Sequence, residues 1–449
     1  MKDYHNKDFS SLARKNWIST FTKLFSARKT QKIPSKVLKR QGSHKRFPFI
    51  RIILFLAAAF FTVYHFFPAD PEKPSENQQV VLETKTDNTI EREQEGIEES
   101  IPIQVEPVKA SFNEQFLARQ PDVLLGRKLL DVLRSQNAYK AFYLMVDGES
   151  GKILAWGQQE EFSPSAEPSF MPKSSFPAAS LIKIVTATAA LESRRYSNHT
   201  LIPSIGSSVT LYRKQLKVPK NYKGRKVSLE KAFASSMNPA MGIVGLSLGG
   251  KALKTAATQL GFNMDCPTGL IDQSIFAPPD SGYGVAEAAC GFTKEITLSP
   301  LHGAAIVRSV LKGKAPEIPW SPLVGAQYAP AKAVPLPVSA LSENTYYGLR
   351  RMFEATIKKG SARTSFRNPK VLYSYNRKRL RIGGKTGTKD GHDGRYEWFA
   401  GYAMDRKDPK KSLVLVCLHI NELSGTRASH PAQAAALLIN HWAKRYLKW

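Results

Sequence analysis

Apolar positions are spread unevenly along the chain, and their spacing sorts it into elements. Lys140–Gly157 (KAFYLMVDGESGKILAWG) holds two apolar runs on either side of Asp147, Gly148, Ser150 and Gly151. Turn residues between two such runs predict a β-hairpin. Leu380–Thr388 (LRIGGKTGT) and Glu397–Met404 (EWFAGYAM) read as a second pair of strands, and Ser412–Ile420 (SLVLVCLHI) as a strand covered on both faces. The middle of the chain has helical spacing. A helix is expected to begin near Ala178, because Pro177 suits a first helical position. Val227–Gly245 reads as helix on both sides of Pro239, and the C-terminal HPAQAAALLINHWAKRYLKW as an amphipathic helix with Pro431 in its first turn. Strands at both ends around a helical middle predict an α+β fold, with helices packed on an antiparallel sheet.

A different pattern precedes these elements. Ile52–Phe67 is a run of 16 mainly apolar residues. Counted from Phe47, it is long enough at about 1.5 Å per residue to span a bilayer, with Arg51 snorkelling at the inner face. Residues 1–51 carry 14 Lys/Arg against 2 Asp/Glu, whereas residues 69–110 carry 4 against 11. By the positive-inside rule the N-terminus is cytoplasmic and the rest of the chain exported. The basic segment is too long for the n-region of a cleaved signal peptide, and no A-x-A site follows. Residues 69–110 are polar, acidic and poor in aromatics, so they are expected to be a disordered tether. The expected layout is a basic cytoplasmic tail (1–46), a transmembrane anchor (47–67), an acidic linker (68–110) and one folded domain (111–449).

Length and charge add limits. At 449 residues and 42% hydrophobic, the chain has material for a large core. The overall balance is +28, and residues 111–449 alone hold +23. That surplus suits nucleic acid, anionic lipid or an anionic polymer. The most basic stretch, Leu211–Lys226 (LYRKQLKVPKNYKGRK), has seven cations, no acid, and Tyr212 and Tyr222 interleaved. On an exported domain it reads as a solvated loop or a contact for an anionic polymer or lipid, and not for nucleic acid. Three cysteines, Cys266, Cys290 and Cys417, show no metal-ligand spacing. Cys417 is expected to be a buried strand thiol, and the spacing leaves a Cys266–Cys290 bridge open.

Phe176–Glu192 (FPAASLIKIVTATAALE) sets Lys183 among Leu181, Ile182, Ile184 and Val185. Burying an ammonium without a partner costs several kcal/mol, roughly. Ser180 lies three residues before it, and i and i+3 share a helix face, so an amine would meet a hydroxyl. S-x-x-K alone discriminates little, since it also occurs at Ser26–Lys29, Ser228–Lys231 and Ser309–Lys312. Order and flanks do discriminate. Only Ser180 follows a proline and opens an apolar helix; Ser236-Met237-Asn238 follows at a break between helices, and Lys385-Thr386-Gly387, the one K-T-G, lies on a strand.

This set resembles that of the penicillin-binding proteins and serine β-lactamases: S-x-x-K, then S-x-N, then K-T-G. The likeness extends over most of residues 140–449, including ACGFTKEITLSPLHGAAIVRSVLKG, GSARTSF (Gly360–Phe366) and WFAGYA. It implies a β-lactamase/transpeptidase-like fold, an antiparallel sheet flanked by helices with an all-helical subdomain. It implies Ser180 as the nucleophile on the D-Ala-D-Ala bond of a peptidoglycan stem peptide, with Lys183 as its base. A neutral Lys183 amine is required, and burial together with Lys385 as a second cation would depress its pKa. By the same resemblance Ser236 relays a proton to the leaving D-alanine and Asn238 bonds the substrate's peptide chain. Thr386, Gly387 and Thr388 form the substrate-binding strand, Thr386 and Thr388 holding the terminal carboxylate. The N–H groups of Ser180 and Thr388 make the oxyanion hole. Penicillin and other β-lactams are implied as inhibitors, and no metal or organic cofactor is implied.

The flanks look most like the transpeptidase domain of bifunctional penicillin-binding proteins. Between Phe67 and Ser111 there is no room for their glycosyltransferase domain, so a separate glycosyltransferase is the expected partner. D,D-carboxypeptidase, class D-like β-lactamase and non-turnover β-lactam sensor are the competing readings. PAASLIKI is similar to class D β-lactamases, but those carry Ser-x-Val where this chain has Asn238. The expected location is the bacterial cytoplasmic membrane, single-pass, with the catalytic domain outside the cytoplasm.

Overall fold

The computed structural model describes residues 116–159, 175–266, 272–293, 295–321, 332–391, 394–423 and 428–448. The expected tail, anchor and linker lie outside the described residues. Among the described residues, no helix is long and apolar enough to cross a membrane.

Five strands form the central sheet: β1 (Lys140–Asp147), β2 (Ile153–Gln159), β3 (Leu380–Asp390), β4 (Arg395–Asp405) and β5 (Ser412–Asn421). Their order is β2-β1-β5-β4-β3, with every neighbouring pair antiparallel. The last strand therefore joins the N-terminal hairpin to the C-terminal one, in register from Lys140 opposite Ile420 to Asp147 opposite Leu413. β5 is buried at every position, as its unbroken apolar run predicts.

Side-chain alternation divides the core into two layers. Val414, Val416 and Leu418 of β5 face one way, with Leu144, Trp398 and Tyr402 from the neighbouring strands. Onto that face pack α2 (Lys183–Glu192), α3 (Leu229–Ala234), α4 (Asn238–Gln259), α5 (Tyr283–Cys290), α6 (Pro300–Lys312) and α7 (Glu343–Lys359). Leu413, Leu415 and Cys417 point the other way, onto α1 (Val123–Ser135) and α8 (Pro431–Tyr446), through Leu129, Leu133, Leu438 and Trp442. The α+β architecture, both hairpins and the C-terminal helix agree with the sequence pattern.

One open reading is settled and one expectation changes. None of the three cysteines is in a disulfide, so there is no Cys266–Cys290 bridge, and Cys417 is the buried strand thiol expected. The helix expected from Ala178 does not start there. Phe176–Pro177 instead pairs as a two-residue strand with Thr297–Leu298. A 3₁₀ turn, Ala179–Ile182, comes next, and the α-helix begins only at Lys183. Ala179 has φ of 49°, outside the right-handed helical region, so the chain must turn once before it can propagate a helix.

Candidate active site

The turn at Ala179–Ile182 is built by its surroundings. Ala178 N–H donates to Ile296 O at 3.0 Å, and Trp398 Nε1 donates to Pro177 O at 3.0 Å, which ties the turn to strand β4. A left-handed alanine costs roughly 1–3 kcal/mol and persists only where the packing around it imposes the conformation. Gly291, at φ 79°, ends α5 directly against it: a Cβ there would lie 1.8 Å from Ala179 O. Gly387 of β3 closes the other side, where a Cβ would come 3.2 Å from Ala179 Cβ and 3.4 Å from Ser180 N.

Ser180 thus sits in a 3₁₀ turn, and the i, i+3 spacing still brings it to Lys183. Lys183 Nζ lies 2.6 Å from Ser180 Oγ, 2.8 Å from Asn238 Oδ1 and 3.0 Å from Cys290 O. The lysine is 0% exposed. Burial disfavours its charged form and lowers its pKa from 10.5 to about 8. Asn238 occupies the start of α4 and is itself fixed. Its N–H donates to Ser208 O and its Nδ2 to Val209 O, each at 2.8 Å, so its Oδ1 is left to face the lysine.

The second motif lies at the corner between α3 and α4, where Ser236 has φ of 53°. Lys385 of β3, also 0% exposed, donates to Ser236 Oγ at 3.0 Å and to Thr386 O at 2.8 Å. Its Nζ stands 5.5 Å from the centre of the Phe233 ring, a cation–π contact. Burial holds its pKa well below the usual lysine value, and the charge of Lys183 lowers it further. Burial is the first cause at both lysines, and repulsion between two ammonium groups disfavours charging both at once.

All three motifs are brought together. Ser180, Lys183 and Asn238 form one hydrogen-bonded group, Ser236 and Lys385 a second, and β3 runs past the Ser180 turn. Gly387 permits the Ser180 turn to approach the strand closely. Thr386 is buried and its hydroxyl lies 2.5 Å from Ser361 Oγ, whereas Thr388 is exposed. Four contributors were not identified from sequence: the carbonyls of Cys290, Ser208 and Val209, and the ring of Phe233. The carbonyls carry no side-chain signal, and Phe233 reads as one apolar residue of α3 among several. A buried amine against a serine hydroxyl is an arrangement able to activate that serine as a nucleophile.

Comparison with known proteins identifies the family. Residues 141–438 match the family model of the penicillin binding protein transpeptidase domain. The chain belongs to that family. The transpeptidase domain is similar to the peptidoglycan D,D-transpeptidase PbpA of Mycobacterium tuberculosis, 29% identical over 173 residues, 34% of this chain and 32% of the relative. The chain thus matches about a third of that protein's length. Among solved structures it is similar to penicillin-binding protein A of Mycobacterium tuberculosis as an imipenem acyl-enzyme, with TM-score 0.53 and 20% identity over 72% of this chain and 78% of that one. It is also similar to the D,D-transpeptidase domain of a peptidoglycan glycosyltransferase from Eggerthella lenta, with TM-score 0.55 and 18% identity over 73% and 82% of the two chains. At these identities the structural likeness concerns the fold.

The transpeptidase domain depends on a glycine that lies outside its three motifs. Gly291→Ala would place a Cβ in the Ala179 carbonyl at a left-handed position. It is expected to destabilise the domain by about 1–3 kcal/mol and to slow β-lactam labelling of the domain more than tenfold, roughly the effect of a 1 Å misplacement or less. Unfolding midpoints and labelling rates measured in parallel check this, and wild-type labelling in the variant would refute it.

Proposed function

We propose that the chain is a peptidoglycan D,D-transpeptidase working through a Ser180 acyl-enzyme. The observation that carries this reading is the 2.6 Å contact between Ser180 Oγ and the fully buried Lys183 amine, in a chain of the transpeptidase family. Neutral Lys183 has two N–H groups for Asn238 Oδ1 and Cys290 O, and one lone pair for the Ser180 hydroxyl proton. Ser180 Oγ attacks the carbonyl carbon of the penultimate D-alanine while its proton passes to Lys183. The N–H groups of Ser180 and Thr388 stabilise the oxyanion. The peptide bond then breaks, and the Lys183 proton reaches the leaving D-alanine amine through Ser236, which Lys385 holds in place. An acceptor amine from a neighbouring strand attacks the ester carbonyl, forms the cross-linking amide and returns a proton to Ser180 Oγ. Asn238 meets the donor's peptide chain, and Thr386 and Thr388, with Gly387 between them, receive its terminal carboxylate. A β-lactam enters the same first step but keeps its leaving amine tethered, so it inhibits. The chemistry needs no cofactor.

The first test uses a fluorescent penicillin on the full-length protein. Stable labelling that Ser180→Ala abolishes is expected, together with D-alanine release and dimer formation from stem peptides. Labelling that survives Ser180→Ala would remove the site. Rapid loss of label would make the enzyme a β-lactamase, D-alanine release without dimers a carboxypeptidase, and stable label without either product a sensor.

The acylation rate should also follow the protonation of Lys183. With its pKa lowered to about 8, the amine is mostly protonated at neutral pH and becomes a base as the pH rises. Acylation is expected to fall by about tenfold per pH unit below that value and to level off above it. A stopped-flow profile between pH 6 and 10, roughly the range around that midpoint, checks this; a flat profile would contradict the assignment of the base.

We also propose that residues 47–67 anchor the protein in the bacterial cytoplasmic membrane, with 1–46 inside and the linker 68–110 and the domain from 111 outside. The charge reversal across the apolar run supports this layout. Protease added to intact spheroplasts should release the domain. A domain protected until the membrane is breached would reverse the topology.

A further inference from the structure

From Ser193 to Leu229 the chain contains no Asp or Glu. Within that interval, Arg213, Lys214, Lys217, Lys220, Lys223, Arg225 and Lys226 are all exposed. None forms an ion pair with an acid among the described residues, although lysines and arginines elsewhere in the domain do, as at Arg308–Glu317, Lys359–Glu230 and Arg379–Asp405. Unpaired like charges repel, so a loop holding seven of them needs its backbone fixed by other means.

It is fixed by neutral hydrogen bonds. Buried Gln215 donates to Ile205 O at 2.9 Å and Ser207 O at 3.0 Å and accepts from Tyr212 N–H at 2.8 Å. Tyr222 donates to Arg225 O at 3.2 Å. Tyr283 OH donates to Leu211 O at 2.6 Å, and the Arg213 guanidinium stacks 4.6 Å over the Tyr283 ring. The two-strand pair Leu201–Pro203 and Lys226–Ser228 closes the base of the lobe. The cations are therefore carried on an ordered frame, which lowers the entropic cost of binding a multivalent anion.

The frame is continuous with the active site. Ser208 O and Val209 O accept the two hydrogen bonds that orient Asn238, and Asn238 contacts Lys183. A polymer lying along Asn238 must pass the start of this lobe.

We propose that the 204–226 lobe is a docking surface for the carboxylate groups of the peptidoglycan strand that carries the substrate, holding the polymer beside the cleft. This rests on the transpeptidase reading above. A stem peptide presents carboxylates along its length as well as at its terminus, so a row of cations meets them at several points. Only three large apolar side chains of the lobe, Val209, Tyr212 and Val218, are exposed, against seven exposed cations. Both features favour the polymer over a lipid surface.

The test uses the full-length protein in detergent, wild type and the quadruple variant Lys217→Gln, Lys220→Gln, Lys223→Gln, Arg225→Gln. Four of the seven cations are removed, and none has a side-chain role in the frame. Binding is measured by co-sedimentation with sacculi stripped of phosphate polymers, with the same sacculi after amidation of their carboxylates, and with phosphatidylglycerol vesicles. The wild type should bind stripped sacculi in a salt-sensitive way and lose at least about tenfold in affinity for the amidated ones. The variant should show a similar loss on untreated stripped sacculi, while its penicillin acylation rate stays within about twofold of wild type. Equal binding of variant and wild type to sacculi, or undiminished binding to amidated sacculi, would overturn the proposal. A defect confined to vesicles would overturn it in favour of a membrane surface. Loss of penicillin acylation in the wild type itself would instead remove the transpeptidase reading, a failure visible without the sacculi.

Discussion

The Lys183 amine must be out of water and still able to take a proton, and the rest of the site is arranged around that requirement. Removing an ammonium from water costs several kcal/mol, roughly, even after relaxation. Lowering its pKa to about 8 corresponds to about 3 kcal/mol of preference for the neutral form. The protein must therefore bury the group with enough partners to keep it in place and too few negative charges to hold it protonated. All three partners are neutral: a serine hydroxyl, an amide oxygen and a backbone carbonyl. Asn238 cannot be an aspartate on this logic. A carboxylate would raise the lysine pKa and would lose the N–H donated to Val209 O.

Lys385 is held by a different solution. It has a carbonyl, a hydroxyl and the face of Phe233, also without any carboxylate. Two buried lysines sharing one region cannot both carry full charge at low cost, so each protonation state depends on the other. Burial pushes both toward the neutral form. Ser236 lies beside Lys385 at a left-handed φ, so its position is imposed by the corner between α3 and α4 and not by local preference.

The fold was legible in the sequence wherever a pattern repeats. Two apolar runs around turn residues marked β1 and β2, an unbroken apolar run marked β5 as a strand buried on both faces, and Pro431 marked the start of α8. The site was legible as three motifs in order, because side-chain identity carries that signal. What stayed hidden is backbone chemistry. The Cys290 carbonyl that holds Lys183, and the Ser208 and Val209 carbonyls that orient Asn238, could have been any residue's. The 3₁₀ turn at Ala179 was hidden for a related reason. Its left-handed φ is imposed by contacts from β3, β4 and α5, which are distant in sequence, and local propensity at Pro177-Ala178 argues for an ordinary helix start.

Those distant contacts also explain why Ala178, Ala179 and Ser180 are small residues. The turn bearing Ser180 is wedged between Gly291, at the end of α5, and Gly387, on β3. A Cβ at either position would push on Ala179 or on the Ser180 backbone. Alanines at 178 and 179 extend the same economy of space to the turn itself. The serine is thus placed by the absence of side chains on both sides, and the lysine by the presence of three neutral partners. Neither condition can be met by one element alone. A five-stranded sheet edge, the end of α5 and the start of α4 must all arrive at the same point, and the strand order with β5 at the centre puts β3 at that edge.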